Sequence, residues 1–244
     1  MCIIIHKPKN IPNILEDHIN NAWNNHNDGA GYALRFPNNQ IVWKKGFLKL
    51  KNLKKSLDSW PLDIIEKSEL TIHFRTGTSG GKSQALTHPF PINEKKLLDL
   101  SGENETLLFH NGILSISLET GLSDTATLAK NLIDLDLDSS KIQSLLTCIF
   151  GHDKAILILK NETLFFGKWE IDKGVSYSNA SYKYFISNMS RFSFYKPYSS
   201  KWDIWEKEEW EKSYLDILDE NDQKEKNWND LLYTDKKLLK IGLI

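Results

Sequence analysis

The sequence predicts an α+β fold, and the order of its elements is what predicts it. Short runs rich in β-branched and aromatic residues come first, segments at helical spacing follow, and a second hairpin comes after those. Residues 2–5 are an apolar run that reads as a buried strand, opened by Cys2. Asn13 followed by Glu16 has the form of a helix cap with its reciprocal acid. Ile14, Leu15, His18, Ile19, Ala22 and Trp23 then repeat at helical spacing, so a helix is expected after the first strand.

Asn27-Asp28-Gly29-Ala30-Gly31 reads as a turn, and residues 32–36 and 40–47 as strands around the Pro37-Asn38-Asn39 turn. Residues 69–75 form a further strand running into a glycine-rich loop at Thr76-Gly77-Thr78-Ser79-Gly80-Gly81. Residues 106–110 form another, ending in Asn111-Gly112. Helices are expected over 124–133, opened by Ser123, and over 140–150. A second hairpin follows, 154–160 with 163–168 around Asn161-Glu162. Beyond Tyr198 the composition changes. Trp202, Trp205, Trp210, Tyr214, Leu215 and Leu218 stand among acidic and basic residues, the pattern of an amphipathic helix with a charged outer face.

The chain of 244 residues, 40% of them apolar, suffices for one substantial core. Its 31 basic and 32 acidic residues are mixed along the chain, which leaves no electrostatic footprint for nucleic acid or an acidic lipid surface. Cys2 and Cys148 are its only cysteines, too few for a disulfide framework or a cysteine zinc site. None of the seven histidines has metal-site spacing, and there is no P-loop or GxGxxG, so neither a metal nor a cofactor is expected. With no signal-peptide pattern and no run of about 18 apolar residues, a cytoplasmic location is the expectation.

The chemistry is concentrated at Cys2. Once Met1 is removed, the thiol and the α-amino group sit on one residue. An amine of pKa roughly 7.7 to 8.0 can take the thiol proton near neutral pH without a histidine. Alone, the pattern is equally that of a small buried residue at a strand start. The loops that follow change this: Asn27 to Gly31, His73-Phe74-Arg75-Thr76-Gly77-Thr78, His88-Pro89-Phe90, His110-Asn111-Gly112, Ser123-Asp124-Thr125, and Tyr177-Ser178-Asn179-Ala180-Ser181-Tyr182 as a closing strand. In this order they resemble a class II glutamine amidotransferase, one of the N-terminal-nucleophile hydrolases. The resemblance spans about residues 2–180.

The resemblance implies a four-layer αββα sandwich for residues 1–198, a glutaminase domain, with 199–244 as a helical extension. It implies that Cys2 is the nucleophile and that the Asn111 side-chain amide and the Gly112 N–H form the oxyanion hole. Arg75 would clasp the α-carboxylate of L-glutamine as a planar fork, Thr78 would help hold that end, His88 would lie near it, and Asp124 would pair with the α-ammonium. Each has a plainer alternative: a turn at Asn111-Gly112, a solvated charge at Arg75, a helix cap at Asp124, a structural histidine at His88. Better-known members carry a tryptophan and then a histidine where this chain has Thr76 and Ser79, which implies a substrate loop of different shape or timing. No acceptor domain follows residue 198, so the ammonia would pass to a partner synthase. Two other functions fit the same fold: an N-terminal-nucleophile acylase acting on another amide, and a non-catalytic interaction or regulatory module.

Overall fold

The computed structural model describes residues 2–77, 83–116, 119–133, 135 and 138–184. Thr78 and the Trp-rich segment 199–244 lie outside the described residues. Among the described residues, the structure is mixed α+β, built on two antiparallel sheets and five α-helices.

The apolar N-terminal run forms β1 (Ile3–Lys7), buried at every position. Helix α1 (Glu16–Asn25) follows as expected, but its cap does not form. The N-cap is Leu15, while Asn13 Oδ1 accepts the N–H of Ile14 at 2.8 Å and the Glu16 carboxylate takes Lys54 Nζ at 2.6 Å. A tertiary cation and a local turn have captured the two side chains that the pattern assigns to each other. Strands β2 (Ala30–Arg35) and β3 (Ile41–Phe47) make the expected hairpin. Two helices that the sequence reading did not anticipate come next, α2 (Leu50–Asp58) and α3 (Leu62–Lys67), before β4 (Glu69–Phe74).

Short strands β5 (Phe90–Pro91) and β6 (Ser101–Glu103) precede β7 (Leu107–Asn111). Helix α4 (Asp124–Asn131) is capped by Ser123, whose hydroxyl accepts the Ala126 N–H at 3.3 Å, as its sequence predicts. Helix α5 (Ser139–Phe150) begins at an Asp138 cap, and β8 (Lys154–Ile158) with β9 (Thr163–Phe166) forms the second hairpin. The last described elements are β10 (Glu170–Asp172), β11 (Val175–Tyr177) and a 3-10 turn over Ala180–Tyr182, so the expected closing strand is strand only as far as Tyr177.

The first sheet runs β10-β11-β1-β4-β2-β3-β6 and the second β5-β7-β8-β9. In the first, Ile4 and Gly31 both stand opposite His73, so all three share one face. That face meets the second sheet: Ile4, Ala33, Ile41 and Trp43 form one buried cluster with Leu107, Phe109, Ile156 and Ile158. The opposite face of the second sheet, with Leu108, Leu157 and Phe166, is covered by Leu128 and Ala129 of α4 and Ile142, Leu146 and Phe150 of α5. On the other side of the first sheet, Trp23 of α1 meets Phe74 edge-on, and the Tyr32 hydroxyl bonds Ser56 Oγ of α2 at 2.9 Å.

Polar ties join the sheets as well. Arg35 Nη1 donates to Leu159 O at 3.2 Å, and the buried Glu69 carboxylate accepts from both Arg35 and Thr163. Because β1 is central in its sheet, the residue that opens it is held on both sides. Among the described residues, no helix is long and apolar enough to cross a membrane.

Candidate functional site

Cys2 stands immediately before β1 and is partly buried. The Thr76 N–H points at its sulfur at 3.3 Å, and the thiol lies 3.6 Å from the Thr76 carbonyl. Its own carbonyl accepts from Asn179 Nδ2 at 2.7 Å. Burial pushes the thiol pKa up; the Thr76 N–H and the Arg75 charge pull it down, and Asp124 adds to the upward push. A thiol held protonated in this way needs a base when it attacks.

Arg75 follows β4 and is only 5% exposed, so it is not a solvated surface charge. Its backbone extends the sheet by one residue, donating to Gly29 O at 2.8 Å and accepting from Asp28 N–H at 3.0 Å. The Asp28 carboxylate in turn accepts the Gly77 N–H at 2.9 Å, which fixes the start of the loop. Further support comes from His26, whose ring bonds Thr76 Oγ1 at 2.8 Å and Ser181 Oγ at 2.7 Å. Ser181 is tied to Asn179 through its backbone N–H at 3.0 Å. A closed set of bonds therefore runs from Cys2 through Thr76, His26, Ser181 and Asn179 back to Cys2. Thr78, assigned to the same loop, lies outside the described residues.

Asn111 is the last residue of β7 and is 6% exposed. Its Nδ2 donates to Ser178 Oγ at 2.8 Å, while its buried Oδ1 makes no hydrogen bond within the protein. Ser178 also accepts the Ile4 N–H at 2.9 Å, so one hydroxyl connects the strand of Cys2 with Asn111. Next to Asn111, the Asp153 carboxylate accepts the Ile113 N–H at 3.2 Å and contacts His110 Nε2 at 3.1 Å. The other His110 nitrogen lies 3.1 Å from Thr125 Oγ1. Asp124, in the first turn of α4, receives the Leu114 N–H at 2.8 Å and the Thr125 N–H at 2.7 Å. It does perform the bland task of tying the helix start to the loop after Gly112, and its charge also acts on Cys2.

His88 is buried. Its ring lies against that of His73, with centroids 4.0 Å apart, and neither of its nitrogens has a hydrogen-bond partner within the protein. Its carbonyl oxygen sits 2.1 Å from where a Cβ on Gly31 would stand, so only glycine lets the 88 loop approach β2 so closely. Burial lowers the His88 pKa well below the ordinary histidine value, so the ring is neutral. His73 Nε2 donates to His110 O, 3.2 Å away, directly beside the Asn111 peptide.

These charges and bonds link Cys2 with Arg75, Asn111 and Asp124, which come from separate segments of the chain, and Gly112 follows Asn111 directly. Sequence reasoning did not single out four residues that hold them: His26, Asp153, Ser178 and Asn179. Ser178 and Asn179 lie inside a motif the sequence does display, whereas Asp153 has no signal beyond a turn. Among the described residues, no three side chains of His, Cys, Asp or Glu converge on a cation position. No protein-family model matches this chain, and no curated protein matches it significantly.

Proposed function

We propose that the protein is a glutaminase of the class II amidotransferase type, with Cys2 as the nucleophile. The observation that carries this reading is the meeting of a partly buried thiol, a buried arginine close enough for its charge to act on that thiol, and an Asn-Gly pair linked to the same strand through Ser178. A carboxylate at Asp124 completes a constellation with one cation and one anion, which suits a zwitterionic amino acid. The sheet-on-sheet core with helices packed outside both sheets is compatible with a four-layer αββα sandwich of the N-terminal-nucleophile kind.

In this reading, removal of Met1 frees the Cys2 amine, which accepts the thiol proton as sulfur attacks the side-chain amide carbon of glutamine. The Asn111 amide and the Gly112 N–H receive the oxyanion. The proton passes to the leaving nitrogen, ammonia departs, and water cleaves the thioester to release glutamate. The ammonia serves an acceptor bound by a partner synthase. The test is glutamine turnover by protein whose Cys N-terminus has been verified by mass spectrometry, together with labelling of Cys2 by a glutamine-analogue electrophile. The absence of both ammonia release and labelling would overturn the reading in favour of a non-catalytic module. Cys2→Ala should abolish turnover and leave the circular dichroism spectrum unchanged.

One observation favours a second reading, an acylase on the same nucleophile. A cavity of about 440 Å³ in the segment after Gly112 is lined by Ile113, Leu114, Ile116, Ile149 and Phe150 on an apolar side suited to an acyl chain, and by Ser115 and the Asp153 carboxylate on a polar one. A panel of N-acyl amino acids assayed beside glutamine separates the two.

A further inference from the structure

We propose that Ser178 is a positioning residue that sets the Asn111 amide against the Cys2 strand, an inference that rests on the glutaminase reading. Strand β11 ends at Tyr177, opposite Ile5 of β1. At the next position a regular ladder would continue with main-chain groups alone. Instead, Ser178 serves both polar groups of Ile4 in two different ways. Its N–H donates to Ile4 O at 3.0 Å, while its hydroxyl, in place of a carbonyl, accepts the Ile4 N–H at 2.9 Å. The substitution of a hydroxyl for a carbonyl has a chemical consequence. A hydroxyl oxygen can accept a second bond and still carries a proton to donate.

The second bond comes from Asn111 Nδ2 at 2.8 Å, across from the other sheet. Ser178 is 3% exposed and Asn111 6%, so no solvent competes for these groups. In both bonds the Ser178 oxygen accepts, which leaves its proton uncommitted. The Asn111 Oδ1 is meanwhile buried without a hydrogen bond. Half a turn of the amide brings the two together. Oδ1 then accepts the Ser178 proton, and both Nδ2 protons face away from Ser178, available to a developing oxyanion. Ser178 holds the amide in either setting, because it can accept from the nitrogen or donate to the oxygen. Alanine could do neither, and would leave the amide without this buried partner in both settings.

The experiment compares wild type with Ser178→Ala in glutamine hydrolysis and in alkylation of Cys2 by iodoacetamide. Alkylation is a displacement at carbon that forms no oxyanion, so it reads the nucleophile and its strand without the Asn111 amide. The expected result is a fall in kcat of about 10-fold or more, with KM and the alkylation rate within about twofold of wild type. Ser178→Ala combined with Asn111→Ala should be no slower than Asn111→Ala alone. Should Ser178→Ala fail to fold, Ser178→Cys keeps the volume and exchanges the hydroxyl for a weak thiol partner, with the same expectations. The proposal is overturned by a kcat within about threefold of wild type, by alkylation slowing in parallel, or by losses that multiply in the double variant. If wild type with a free Cys2 turns over no glutamine, the glutaminase reading falls and takes this proposal with it. Wild-type turnover with an indifferent Ser178→Ala removes the proposal alone.

Discussion

The Asp153 carboxylate fills the space that a side chain at Gly112 would need, its γ-carbon lying 2.0 Å from where a Cβ would stand. The carboxylate is not free to retreat, because it holds the Ile113 N–H at 3.2 Å and His110 Nε2 at 3.1 Å. Gly112→Ala should therefore break this set of bonds, destabilise the fold by about 1 to 3 kcal/mol and reduce glutamine turnover by about 100-fold. Asp153→Ala added to Gly112→Ala removes the clash and should recover part of the stability. Urea titrations of the single and double variants check it; no recovery in the double variant would show that the clash is not the cause.

Asn111 and Arg75 should fail in different kinetic parameters. An oxyanion donor acts only in the transition state, so Asn111→Ala should lower kcat by about 100-fold to 1000-fold with KM little changed. A carboxylate clamp holds the ground state as well, so Arg75→Lys, which loses the two-pronged fork, should mainly raise the KM for glutamine. Steady-state ammonia release decides both. A change below about threefold in Asn111→Ala removes that residue from its role.

Much of the fold was legible because β-branched runs and turn residues carry their own signal. The β2–β3 and β8–β9 hairpins and the Ser123 cap stand within a residue or two of expectation. Neither α2 nor α3 was legible, although Leu53 and Leu57, four apart, bury the face that holds α2; among so many lysines that spacing is a weak signal. The Asn13–Glu16 cap failed because Lys54, 38 residues from Glu16, competes for the carboxylate, and no local pattern reports a distant cation. At the site, the residues that touch substrate in the proposed mechanism sit in short motifs of fixed order. Those that support them are fixed only by folding. Asp153 reaches Gly112 from 41 positions along the chain, as a property of the β7–β8 pairing.

Buried histidines make the fold sensitive to acid, His110 among them, since burial lowers its pKa as well. Burial lowers His6 to about 4 and His73 to about 3, and holds His88 well below its ordinary value. Between the unfolded pKa near 6.5 and these folded values, the unfolded chain binds protons that the folded chain does not. Stability consequently falls as pH falls through this window, by up to about 1.4 kcal/mol per pH unit for each histidine. Most carboxylates are still ionised between pH 6.5 and 5, so a steep loss there belongs to the histidines. Thermal unfolding across that range should show it, and His73→Gln should reduce the slope, because one of the groups that bind protons only in the unfolded chain is gone. A flat profile above pH 5 would contradict the assignment.

Lys45 works in the opposite part of the pH scale. It is 1% exposed, with Nζ donating to Leu97 O at 2.9 Å and standing 4.5 Å above the Phe90 ring. Burial lowers its pKa to about 7, against a smaller upward pull from Asp99. Below pH 7 the folded protein therefore buries a full ammonium, a cost the unfolded chain does not bear. From about pH 7 up to the unfolded value near 10.5, the unfolded state holds the extra proton, and stability rises with pH. Lys45→Met keeps the length and the apolar contacts and deletes the charge. It loses the bond to Leu97 O, worth about 1 kcal/mol, but escapes the burial cost. The variant should thus be more stable than wild type at pH 6, and its advantage should shrink by about 2 to 3 kcal/mol at pH 9. Denaturant unfolding at the two pH values measures the difference directly. An advantage that is the same at both would mean that the Lys45 ammonium keeps its proton throughout, held by Leu97 O, the Phe90 ring and Asp99 despite its burial.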